Sequence, residues 1–211
     1  MTNVPPRTDH DARFDGAVVL GPTGAGKTPL GDALAAEGWR GQRCLHFDFG
    51  RNLRRAAAGQ VPGLSADEVE FVRQVLDEGR LLEADSFYLA EHILRGFLQA
   101  HAAQPDDVVL LNGLPRHVGQ TQVTDKLVAV RRILLLEAGP EVVLARLRTN
   151  AGGDRAQRTD DHPALVQRKL QTYRERTLPL VAHYRKAGAH LITLEVDITT
   201  HATALRKMLN A

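Results

Sequence analysis

One cysteine, Cys44, is all that 211 residues provide, so no internal disulfide can form and stability has to come from a packed core. Histidine and cysteine fall nowhere at zinc-ligand spacing, and no metal held by such a set is expected. No stretch approaches the roughly 18 consecutive apolar residues of a membrane span. The opening segment, 1–15, is polar, contains Pro5-Pro6 and shows no charged-then-apolar leader; it reads as a frayed tail ahead of one domain, 16–211, with a reducing cytosol as the expected home. Charge of one sign is also missing, since 27 Lys and Arg against 25 Asp and Glu leave only +2. That excess is too small to argue for a nucleic-acid surface, and neither a nucleic acid nor a membrane is expected as a partner. The basic set is lopsided, 22 Arg to 5 Lys. Compositional bias explains most of them, so only arginines inside motifs are weighed as phosphate ligands.

What the chain does have is a complete GxxxxGK[ST] pattern, Gly21-Pro22-Thr23-Gly24-Ala25-Gly26-Lys27-Thr28, directly after the apolar run 17–20. A strand, a glycine-rich turn and a helix in that order make a phosphate-binding loop. Successive backbone N–H groups of Thr23, Gly24, Ala25 and Gly26 turn toward a polyphosphate, and the helix N-terminus faces the anion. The motif puts Lys27 at the β- and γ-phosphates and the Thr28 hydroxyl at Mg²⁺, so ATP and Mg²⁺ are the expected cofactors.

Runs rich in β-branched residues alternate with stretches of helical spacing, the pattern of a parallel sheet covered on both faces. The strands are expected at 17–20, 44–47, 108–111, 133–136 and 190–194. Ser65 ahead of Glu68 is a capping box, and Asp161 ahead of Pro163 is a second helix start. Two segments exceed a minimal alternation. Residues 52–104 place several short helices between the second and third strands and read as an acceptor-binding lobe. Residues 149–160, with Gly152-Gly153, Arg155 and Arg158, read as a short lid.

From 18 to 209 the arrangement resembles the adenylate kinase family and its nucleoside monophosphate kinase relatives. The phosphate loop, the segment His46-Phe47-Asp48-Phe49-Gly50-Arg51-Asn52-Leu53-Arg54 against HxSxGDxLR, Asn112-Gly113-Leu114-Pro115-Arg116 with Gln120 against DGFPRxxxQ, and Gln157-Arg158-Thr159-Asp160-Asp161 against GRxDD occur in the family's order. The resemblance implies a three-layer α/β P-loop fold with a five-stranded parallel sheet ordered 2-3-1-4-5. It also implies transfer of a phosphoryl group from ATP to a nucleoside monophosphate, most readily AMP, by a monomer. By motif position Arg54 and Arg116 would grip the acceptor phosphate, with Gly113 beside them. Arg158 and Lys169 would approach from the lid, Arg146 would stack on the donor adenine, and Gln120 would hydrogen-bond the acceptor base.

The departures concentrate at the metal and the acceptor. Asn112 stands where the family has the Asp that orients the water shell of Mg²⁺, so with Thr28 it makes a metal site short of one charge; Asp48 is a nearby carboxylate that could compensate. Phe49 replaces a small hydroxyl residue and Arg51 replaces an Asp. Two further readings therefore stay open: a kinase for a small hydroxylated metabolite, with Asp48 binding hydroxyls as the acidic residue of shikimate kinases does, and a nucleotide-binding sensor with weak catalysis. For Phe49, core packing and a substrate role weigh equally. The histidines, His46 and His117 among them, show no ligand spacing.

Overall fold

The computed structural model describes residues 13–153 and 163–210. Five strands, β1 (Phe14–Leu20), β2 (Cys44–Asp48), β3 (Val108–Asn112), β4 (Val128–Glu137) and β5 (His190–Glu195), form one sheet. Its order is β2-β3-β1-β4-β5 with every neighbouring pair parallel, as the alternation and the family resemblance led us to expect. Period-two alternation sorts the side chains. Val18, Leu20, Leu45, Phe47, Val109 and Leu111 enter one core, and Ala17, Val19, Cys44, Val108 and Leu110 enter the other.

The second of these cores is closed by α1 (Lys27–Glu37) and α9 (Ala202–Asn210), through Leu30, Leu34, Leu205 and Leu209. The first is closed by α4 (Phe87–Ala100) and α8 (Pro179–Lys186), where Phe97 meets Phe47 edge-on at 5.1 Å between ring centres. Between β2 and α4 lie α2 (Phe49–Ala57) and α3 (Ala66–Asp77). Within the segment 52–104, α2, α3 and α4 all send apolar residues into the first core, Leu53, Val72 and Ile93 among them. Ser65 accepts from Glu68 N at 3.2 Å and Glu68 accepts from Ser65 N at 2.7 Å, completing the capping box. After β3 come a short α5 (Thr121–Thr124), then α6 (Pro140–Thr149) beyond β4, and α7 (Pro163–Thr172), which continues into a π-helical turn, Tyr173–Thr177. Among the described residues no helix is long and apolar enough to cross a membrane.

Two boundaries differ from the sequence reading. β1 starts at Phe14, inside the segment read as tail, because Phe14 N donates to Leu127 O at 2.9 Å and Arg13 reaches Asp125 O at 3.1 Å. β4 starts at Val128, five positions before the expected 133. Arg131-Arg132 interrupts its apolar run, yet Arg131 faces Asp15 at 3.7 Å and Arg132 lies over the Trp39 ring at 5.5 Å. Charged residues can occupy a strand when partners outside it take them.

Candidate active site

All loops that follow β1, β2 and β3 open at the carboxyl edge of the sheet, on either side of the point where chain order reverses, which is where open α/β sheets bind ligands. A cavity of about 220 Å³ lies there. The phosphate loop forms its floor. Gly21, Gly24 and Gly26 take φ of 152°, 82° and 99°, values closed to ordinary side chains, so the loop can wrap tightly and present its amides. Lys27 is folded onto that loop, its Nζ donating to Gly21 O and Pro22 O at 2.7 Å each.

The walls bring together most of the residues singled out from sequence. Thr23, Thr28, Asp48, Asn112 and Gly113 border the cavity at the loop, and Arg54, Arg116, Gln120 and Lys169 border it further out. Arg54 is exposed on α2, and its side chain makes no hydrogen bond or ion pair among the described residues. Arg116 follows the cis Leu114–Pro115 peptide. Its main chain is fixed at both ends, the N–H donating to Gln120 Oε1 at 2.7 Å and the carbonyl accepting from Thr177 Oγ1 at 2.7 Å. The π-helical turn that carries Tyr173 and Thr177 to this wall is a device often found at functional sites. Leu53, Val75, Leu76, Leu81 and Leu82 add apolar wall, with Arg80 among them.

Three of the residues singled out from sequence are held mainly by the protein itself. Gln120 is buried and braces the backbone, its Nε2 also donating to Leu82 O at 2.9 Å; one amide proton is left for a ligand. Phe49 is core, 3 % exposed and tilted against Phe47 at 6.0 Å, and only borders the cavity. Arg146 is no exposed plate for stacking but a strut, 2 % exposed. It donates from Nε to Gly24 O at 2.9 Å and from Nη1 to the carbonyls of Asp197, Ile198 and Thr200 at 2.7, 3.1 and 2.8 Å. The strut borders a separate cavity of about 230 Å³ with Pro29, Ala151 and His201. Arg158, with Gln157 and Asp161, lies outside the described residues, so of the segment read from sequence as a lid only 149–153 is described: α6 ends at Thr149, with Asn150 left-handed at φ 48°.

A buried polar chain that sequence reading did not assemble runs behind the loop. Cys44, His46 and Asp48 face α1, as period two requires, and the register sets His46 beside Leu110 and Asp48 beside Asn112. Thr28 Oγ1 donates to Asp48 Oδ2 at 2.7 Å. Asn112 Nδ2 lies 3.1 Å from Thr28 Oγ1, 3.2 Å from His46 Nε2 and 3.3 Å from Asp48 Oδ2. His46 Nδ1 meets Asp32 Oδ1 at 2.9 Å, and Asp32 receives Arg51 at 3.1 and 2.8 Å. Partial burial alone would raise the Asp32 carboxyl, but hydrogen bonds from His46 and Arg51 outweigh it and hold it at about 2. The signal was present in the sequence as His46-x-Asp48, two polar residues on one face of a buried strand. His117, beside Arg116, is also buried; desolvation first, then the Arg176 charge, lowers its pKa, although Glu83 at 3.6 Å opposes this.

The oxygen set around Thr28 suits a hard cation. The Thr28 hydroxyl and the Asp48 carboxylate beside it are oxygens of the kind Mg²⁺ accepts alongside phosphate and water, while Asn112 turns its amide nitrogen toward both. No group of three or more His, Cys, Asp or Glu able to hold a metal exists among the described residues.

No protein-family model matches the chain. Adenylate kinase of Synechococcus sp. (strain RCC307) is 31% identical over 175 residues, 80% of this chain and 84% of that protein. Adenylate kinase of Stenotrophomonas maltophilia (strain K279a) is 32% identical over 180 residues, 81% and 86% of the two chains. Among solved structures, a gluconokinase from Sinorhizobium meliloti 1021 superposes with a TM-score of 0.49 at 18% identity, over 93% of this chain and 90% of that one. A likeness at that level carries no functional argument.

Proposed function

The chain belongs to the adenylate kinase family and is a phosphotransferase, and from that premise we propose that it moves the γ-phosphoryl group of ATP to a nucleoside monophosphate, AMP foremost. The observation that carries the acceptor class is that one cavity is lined both by several cations and by a set of apolar side chains. Lys27, Arg54, Arg80, Arg116 and Lys169 line the same space as Leu53, Val75, Leu76, Leu81 and Leu82. A monophosphate carries the complementary pair, a dianion at one end and a flat base at the other. Guanidinium groups suit the dianion because their fork matches phosphate oxygens two at a time.

In this reading an oxygen of the acceptor phosphate attacks the γ-phosphorus, the bond from that phosphorus to the β–γ bridging oxygen breaks, and ADP leaves as the acceptor becomes a diphosphate. No proton has to be removed from the nucleophile. The loop amides and Lys27 hold the donor, Arg54 and Arg116 hold the acceptor in line, and Lys169 adds positive charge where the transferred group passes. Thr28 and the oxygens around it would hold Mg²⁺, which when bound neutralises charge on the donor phosphates. The same reading expects a monomer working in the cytosol.

A hydroxylated metabolite as acceptor would need a base. Asp48 is the only carboxylate bordering the cavity among the described residues, and its oxygens are directed at Thr28, Asn112 and the Arg51 N–H. This supports the monophosphate over the polyol. The test is diphosphate formation from ATP, Mg²⁺ and each common monophosphate in turn, with Lys27→Ala as control; AMP is expected to be turned over fastest. No diphosphate above the control with any of them overturns the proposal. Arg116→Ala should raise KM for the monophosphate by about 10- to 100-fold, the worth of a charge-assisted contact, while leaving ATP affinity within about twofold.

A further inference from the structure

We infer that Asp48, at the end of β2, supplies the negative charge of the Mg²⁺ site, and that Asn112, at the end of β3, is its neutral counterpart and not a lost acid. The inference rests on the use of Mg²⁺ and a nucleotide in the phosphate loop, but not on the identity of the acceptor. Its basis is the register: Asp48 and Asn112 are direct neighbours across β2 and β3, so an acid can sit on either strand and still face the same point.

The geometry says which strand holds it. Asp48 Oδ2 lies 2.7 Å from the Thr28 hydroxyl that the loop motif assigns to the metal. Oδ1 accepts the Arg51 N–H at 2.9 Å as the N-cap of α2, so the carboxylate is fixed from behind by a helix N-terminus, which also favours its charge. A second acid at 112 would stand about 3.3 Å from Asp48 Oδ2, where the amide nitrogen now is, and two anions so close repel strongly. An amide removes that conflict and gives Asp48 a donor.

Asn112 is oriented as well as neutral. With His46 Nδ1 donating to Asp32, Nε2 is left as an acceptor, and it draws in Asn112 Nδ2. That places both amide protons among His46, Thr28 and Asp48. Oδ1 of this residue, itself 5 % exposed, makes no hydrogen bond among the described residues and is left for the cavity that Asn112 borders. It can accept from a water of the metal shell while adding no charge. Gly31 makes room for the arrangement: a Cβ there would stand 2.3 Å from His46 Nε2.

The test measures Mn²⁺, as a stand-in for Mg²⁺, binding to the complex of the full chain with a non-hydrolysable ATP analogue, read from the free-Mn²⁺ electron paramagnetic resonance signal with no acceptor present. Asp48→Asn and Asp48→Ser both keep a side chain able to cap α2. Each should weaken Mn²⁺ binding about 10- to 100-fold, with affinity for the analogue in EDTA unchanged by calorimetry. Asp48→Asn combined with Asn112→Asp should return Mn²⁺ affinity to within about threefold of wild type, since the charge is moved back across one rung. Folded Asp48 variants that bind Mn²⁺ as wild type does overturn the inference, as does an equal loss of metal-free nucleotide affinity. Should neither single variant fold, the double variant decides, wild-type-like Mn²⁺ binding supporting the transposition and its loss overturning it. Because no monophosphate enters the measurement, failure of the proposed acceptor leaves it intact.

Discussion

Gly31 sits inside α1, where alanine would ordinarily stabilise a helix by about 1 kcal/mol. Here the sign should reverse. His46 is buried between Asp32 and Asn112, and a methyl group 2.3 Å from its ring forces it off both partners, an overpacking cost of about 1–3 kcal/mol. Thermal unfolding of Gly31→Ala is expected to show a lower Tm, and the same substitution in a His46→Ala background should be neutral or stabilising. Cys44 behaves in the opposite way to a reactive thiol. Burial, helped by the Asp107 charge, pushes its pKa up to about 12, so below that pH it stays protonated. Alkylation at pH 8 should leave the native protein untouched and label Cys44 only after denaturation. At this scale the residue types were legible in the chain and their partners were not: Lys27 and Thr28 follow from a motif eight residues long, whereas the partner of Thr28 is Asp48, twenty positions away.

Among the elements, α6 shows how a side chain assigned to ligand binding can be taken over by packing. Arg146 points back from its last turn to tie the phosphate loop at Gly24 to the segment after β5. Substituting Lys removes the fork and leaves several part-buried carbonyls short of a donor, each costing less than the about 1–3 kcal/mol of a fully buried group because water can reach it. Arg146→Lys should therefore lower Tm by several degrees and weaken ATP affinity, checked by thermal unfolding and calorimetry. The exposed bidentate pair of Arg176 with Glu83, at 2.5 and 3.0 Å, joins the π-helical turn to the approach of α4. It should contribute far less, about 0–1 kcal/mol, and Glu83→Gln serves as the comparison. Helix starts were readable where a local rule governs them, as at Ser65 and Glu68. The starts of β1 and β4 were missed because the residues that admit Phe14, Arg131 and Arg132 to strands lie on other elements.

For the molecule as a whole, acid is the expected weakness. His117 has a lowered pKa in the folded protein, held down by burial and by the Arg176 and Arg116 charges against the opposing pull of Glu83. The unfolded chain then binds a proton more readily, so the stability this site contributes is present above the ordinary imidazole value of about 6.5 and lost as pH falls below it. A plot of Tm against pH should decline there, and His117→Asn should flatten that part of the curve. By itself the sequence determined the parallel α/β sheet, its strand order through the family pattern, the phosphate loop and the identity of its cations. The sheet class and the loop depend on backbone periodicity and short-range motifs, which any stretch of chain expresses without its neighbours, whereas the order of the strands came from the resemblance alone. Only the tertiary structure decided that Asp48 faces Asn112, that His46 and Asp32 turn the amide, and that Arg146 is a strut, because strand register and the seating of α1 and α6 against the sheet bring together residues 14 to 122 positions apart.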